Sequence, residues 1–263
     1  MADTNPLLAD WTTPFGIAPF DAIRPEHFVP AFGEGMARHR AEIEAIAADT
    51  APVTFANVID ALEKAGETLN RVGGVFWNLT GAHTNDALQA VEREIAPRMA
   101  AHWAEIGTNT RLFARVDALF AIRERLALSP EQARLLERTR TSFVRSGATL
   151  DEASRERLKA IVSRLATLGT RFSQNVLADE ANWDMPLDGQ GDLAGLPDSL
   201  VAATRAAAET RGKPGHVVTL ARSIVEPFLV FSEARELRQR AFEAWIRRGE
   251  MGGDTDNRAI VAE

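Results

Sequence analysis

Apolar residues recur every three or four positions along most of this chain, and the longest such run lies between Leu150 and Asn182. Leu158, Ile161, Leu165, Leu168, Phe172 and Val176 share one face of a helix at that spacing. No proline interrupts the run, and its one glycine, Gly169, is a tolerable cost. Thr149 or Asp151 caps its start, and Asp151 and Glu152 suit the positive end of the helix dipole. Such a helix spans roughly 48 Å. Length alone does not stabilise it in water, so its apolar seam is expected to lie against other helices.

The same pattern organises the rest. Residues 1–24 carry Pro6, Pro14 and Pro19 among Leu7, Leu8, Trp11, Phe15, Ile17 and Phe20. Proline rules out a continuous helix there, and the apolar residues predict a segment laid over the body. A helix starts at Pro25, with Phe28, Ala31, Phe32, Met36, Ile43 and Ile46 on its inner face. A second runs from Thr54 through Leu79, with Gly73 and Gly74 as the expected point of close packing or a kink. Asn85 caps a third, which Pro97 should kink. Asn109 or Thr110 breaks the chain before a helix over 112–126. Ser129, Pro130 and Glu131 then give a cap, a proline at the first position and an acid, and this helix stops near Gly147.

Past Asn182 the texture changes. Residues 183–187 alternate and end in the turn cluster Asp188-Gly189-Gln190-Gly191. Val217, Val218 and Thr219 are β-branched, so residues 217–221 are the natural partner of 183–187 in a two-stranded ribbon packed on helices. Between them Leu196-Pro197-Asp198 opens a helix that runs to about Thr210. Glu233–Gly249 reads as a helix with Leu237, Phe242, Trp245 and Ile246 inward. Asp254 or Thr255 caps a last helix toward Glu263, which has no terminating glycine, proline or basic turn. The fold class is all-α with one small β-ribbon. Its regions are 1–24 irregular, 25–182 a long-helix bundle, 183–222 the ribbon with its inserted helix, and 223–263 further helices.

Composition narrows the function classes. The chain has 263 residues, a formal net charge of -7 and a pI near 5.4, enough for one large or two small domains. An acidic balance argues against nucleic acid as a partner. Cysteine is absent, which excludes disulfides and thiolate metal sites. There is no signal peptide at MADTNPLL and no apolar run long enough for a membrane span, so the expected location is cytoplasmic.

Candidate chemistry is sparse. Histidines stand at 27, 39, 83, 102 and 216, none with a second histidine four residues on, and H-E-x-x-H does not occur. His39 and Glu42, and His102 and Glu105, lie three apart, as residues on solvated helix faces often do. Asp184, Asp188, Gly189 and Asp192 lack the remaining ligands of a calcium loop and read as a turn. No G-x-S-x-G is present, and Gly189, Gly191 and Gly195 do not have dinucleotide spacing. Asn78-Leu79-Thr80 is a glycosylation sequon without a secretory context. The charge runs Arg134–Arg145 and Arg235–Arg248 read as solvated faces with pairs such as Glu236–Arg240 and Glu243–Arg247. The second run is alternatively the lining for an acidic partner or a substrate carboxylate. No catalytic, cofactor-binding or metal residue is assigned in this chain.

Order and spacing of short stretches add a resemblance. Asn5-Pro6-Leu7-Leu8, Pro14-Phe15 and the run from Ile23 to Phe28 open it. Phe143 to Ala148, Arg157-Leu158, Phe172 to Glu180 and Gly195-Leu196-Pro197 follow. Arg211-Gly212, Pro227-Phe228-Leu229, Arg235 to Arg238, Ala244 to Gly249 and Asp256-Asn257-Arg258 complete it. Together they make the chain similar to the thimet oligopeptidase family of zinc metallopeptidases, nearest its bacterial dipeptidyl carboxypeptidase and oligopeptidase A branches. His216 departs from it, standing where relatives often have an aromatic residue. The resemblance implies a mostly helical, two-lobed peptidase acting on short peptides, with zinc polarising the scissile carbonyl and activating water. This chain is then expected to be the N-terminal helical lobe, one wall of the substrate channel, with the zinc ligands in a C-terminal catalytic lobe beyond Glu263. It should bind no zinc and be inactive alone. Its expected partners are that lobe and short peptides, with neither nucleic acid nor membrane. The isolated chain is expected to self-associate, or to fray over 254–263. The alternative is a stand-alone helical binding or scaffold protein.

Overall fold

The structure is a computed structural model and describes residues 5–263. Two compact units divide inside the long helix, one running through Thr167 and one spanning Leu168–Glu263.

In the first unit, α1 (Phe28–Ala48) follows a single 3-10 turn at Pro25–His27. A π-turn at Ala56–Asp60 leads into α2 (Ala61–Lys64), followed by α3 (Glu67–Ala82), α4 (Asp86–Gly107), α5 (Thr110–Ala121) and α6 (Pro130–Arg145). Caps fall where the side chains call for them. Asn85 accepts from the Leu88 N–H, Asn109 from the Leu112 N–H, and Ser129 and Gln132 form a reciprocal capping box. The two halves of α1 bury into different clusters. Phe28, Phe32 and Met36 pack with Leu69, Val72, Phe76 and Ile95, while Ile43 and Ile46 pack with Val58, Leu112, Val116, Leu119 and Leu136. The Phe76 ring meets Phe28 and Phe32 edge-on at 5.0 and 5.4 Å.

Three expectations need correction here. The helix from Thr54 does not run on to Leu79, because Ala65 and Gly66 separate α2 from α3 and Gly66 takes the left-handed φ of 82°. Close packing is not at Gly73 or Gly74. A Cβ on Gly74 would meet nothing, whereas one on Gly35 would come within 3.0 Å of the Leu69 Cα. In the N-terminal segment Leu7, Ala18 and Ile23 do lie in the core, but Phe15 is fully exposed, and Ile17 and Phe20 are exposed too.

In the second unit, β1 (Asp184–Pro186) pairs antiparallel with β2 (Val217–Thr219), Met185 opposite Val218. α8 (Asp198–Thr210), α9 (Arg222–Phe231) and α10 (Arg235–Ile246) cover the ribbon, and α11 (Arg258–Ala262) closes the chain. Met185, Leu200, Val218, Leu220, Val225, Phe228 and Ala241 form the core. The helix α9 is not signalled by the sequence pattern. Pro227 is the sixth of its ten residues, where a proline reads as a breaker and costs the helix an i→i−4 hydrogen bond. Phe242 and Ile246 point outward at 50% and 58% exposure, and Ala241 is the buried residue of α10 instead. The N-cap of α11 is Asn257, not Asp254 or Thr255, which lie in a 3-10 turn.

The helix α7 (Glu152–Asn182) joins the units, and Asp151 caps it by accepting from the Ser154 N–H. Its predicted seam is not packed as expected. Leu168 is buried, but Ile161, Leu165 and Phe172 are 45%, 60% and 40% exposed.

Candidate functional site

His39 on α1 and His102 on α4 are both buried, which corrects their reading as residues of solvated faces. The His39 Nδ1 and His102 Nε2 are 2.9 Å apart, and Trp103 meets both rings edge-on. Arg40 can only donate, and its Nη1 is 3.5 Å from the His102 Nδ1. The Nε2–H of His102 therefore donates to His39. Burial pushes the His102 imidazole down to about 4, with His39 and Arg40 adding to it. Burial lowers His39 as well, against the opposing pull of Glu42. Glu42 accepts from the Gly66 N–H at 2.6 Å, and a Cβ on Gly66 would press on the His39 ring at 3.2 Å. His39 and Glu42 thus both meet the chain at Gly66, just past the end of α2. Its nitrogens face each other rather than a common point, and among the described residues no group of three or more His, Cys, Asp or Glu could hold a metal ion.

Unfolded histidine binds its proton near 6.5, so between there and about 4 the unfolded chain takes up a proton that folded His102 refuses. This stability is complete above that window and is lost as pH falls through it. The loss is expected to be about 2 kcal/mol. Urea midpoints near neutrality and at about pH 4.5 should differ more for the parent than for His102→Gln. Equal pH dependence in the two would contradict the pair's role.

The arginine run on α10 is the other place where charge gathers. Neither Glu236–Arg240 nor Glu243–Arg247 forms the expected ion pair, and Glu243 accepts from the Gln239 amide at 2.8 Å. Arg238 donates to the Ser232 carbonyl oxygen, and Arg248 stacks on Trp245 and pairs with Glu180 at 3.2 Å. Arg240 and Arg247 instead line a cleft of about 280 Å³ with Trp183, Asp184, Glu243 and Met251. The run Arg134–Arg145 is the solvated face expected, with Arg134 on Glu137 and Arg140 on Asp117 of α5.

A buried polar hub holds the end of the chain. Asp179 on α7 accepts from the Gly249 N–H at 2.7 Å and from the Thr255 hydroxyl. Asn257 accepts from the Asn175 amide at 2.8 Å and donates to the Phe172 carbonyl oxygen at 3.1 Å. Asn175, Asp179, Gly249 and Asn257, which carry part of the family resemblance, thus meet in one network. His216 lies within 3.1 Å of the Thr204 hydroxyl, and Asp192 closes its turn by accepting from the Gly189 N–H. Among the described residues no helix is long and apolar enough to cross a membrane.

No family model matches the chain. Curated proteins do. It is 37% identical over 262 residues to dipeptidyl carboxypeptidase of Escherichia coli strain K12, and 38% identical over 259 residues to that of Salmonella typhimurium. It is 28% identical over 264 residues to oligopeptidase A of Escherichia coli. These matches cover 98–99% of this chain. The chain spans about 38% of the length of those relatives. The chain is helical, and the curated proteins that it matches along nearly its whole length are peptidases. Its homologues are dipeptidyl carboxypeptidase and oligopeptidase A, of the thimet oligopeptidase family.

Proposed function

We propose that this chain is the N-terminal helical portion of a cytoplasmic, zinc-dependent oligopeptidase or peptidyl-dipeptidase that hydrolyses short peptides, and that it forms one wall of the substrate channel. The observation that carries this is the match to peptidases across nearly the whole chain but about 38% of their length. The half-exposed apolar row on α7 supports the wall reading, since monomers rarely leave large contiguous apolar surface bare. The zinc that the family implies finds no fitting ligand set here, because His39 and His102 bond to each other. Its ligands belong to a C-terminal catalytic lobe beyond Glu263, which is the chain's main partner. Alone, the chain binds no zinc and cleaves nothing, and its bare α7 row favours self-association.

The test is metal analysis after dialysis together with a fluorogenic peptide assay. Zinc far below one per chain and no turnover are expected, with turnover appearing once the remaining polypeptide is present. Tight zinc at one per chain, or hydrolysis that survives repurification, would overturn the reading.

A further inference from the structure

In the second unit, Arg240 and Arg247 stand seven residues apart on one side of α10 and its C-cap, facing Trp183 and Asp184 where the chain enters β1. The charge of Asp184 is already taken up, since Lys213 Nζ lies 2.6 Å from both of its carboxylate oxygens and Arg211 lies 3.6 Å away. Glu243 is held by the Gln239 amide. Among the described residues neither Arg240 nor Arg247 has an ion-pair partner. The cleft is therefore cationic within a chain whose net charge is -7. Its other walls are apolar, from the Trp183 ring and the Met251 side chain. Guanidinium forks pair with carboxylates through parallel N–H donors, and a neighbouring ring and thioether suit an aliphatic body.

We propose that this cleft binds a carboxylate carried on an apolar body, the anion on Arg240 and Arg247 and the aliphatic part against Trp183 and Met251. The site depends on the second unit alone and stands whether or not the peptidase reading does. N-acetyl-L-leucine and its amide are the probes, read by the indole N–H resonance of Trp183, assigned through Trp183→Phe.

The acid is expected to shift that resonance saturably, and the amide to bind about tenfold more weakly or not at all. Arg247→Gln and Arg240→Gln should each weaken the acid by a similar factor. Both side chains are exposed, so these variants should keep the parent's melting temperature. Glu243→Gln removes a competing anion and should tighten the acid. Equal binding of acid and amide, or unchanged affinity in both arginine variants, would overturn the proposal.

Discussion

Gly195→Ala is expected to destabilise the second unit by about 3–4 kcal/mol, a large share of an ordinary domain's stability. Gly195 has a φ of 81°, which costs a residue with a Cβ about 1–2 kcal/mol. A Cβ there would also sit inside contact distance of the Phe231 carbonyl oxygen and 3.3 Å from the Glu233 nitrogen. Neither is a side-chain tip that can swing away. The Glu233 N–H donates to the Ala194 carbonyl oxygen at 3.1 Å, so the turn is tied to the α9–α10 junction it would have to leave. Urea denaturation checks this, with Gly191→Ala as control, because a Cβ at Gly191 meets nothing. Equal midpoints for the two variants would show that the approach is not tight.

Asp179→Ala is expected to cost about 3 kcal/mol, by leaving the Gly249 N–H and the Thr255 hydroxyl without their acceptor in a buried place. The effect should be local as well as global. Residues 249–263 are held to α7 through Asp179 and Asn257, so their amides should lose protection before the ribbon does. Asp179→Asn keeps one acceptor oxygen and should cost about 1 kcal/mol. An alanine variant with the parent's midpoint and the parent's exchange over 249–263 would show that the hub does not hold the end of the chain.

Local signals in the sequence carried much of this fold. Asn85, Asn109, Ser129 and Asp151 cap the helices they precede, because a cap is decided within three residues. The ribbon was legible because the β-branched residues of 217–219 and the alternation of 183–187 leave few other ways to pair. What failed to show was set by distant residues. The break at Gly66 depends on the His39 ring and the Glu42 carboxylate. His39 and His102 are 63 positions apart, and Asp179 and Thr255 are 76 apart, so no spacing rule joins them. On α7, periodicity gave the apolar face but not what covers it. Ile161 and Leu165 are as regular as Leu168, yet Leu168 alone of the three is buried.

The central claim is that these residues are one part of a zinc peptidase. It is tested most directly by reading the coding sequence 3′ of the Glu263 codon. An open frame is expected, with an H-E-x-x-H motif within the next few hundred codons and a further glutamate ligand beyond it. A stop codon directly after Glu263, or a long frame without that motif, would contradict it and favour a stand-alone helical binding protein.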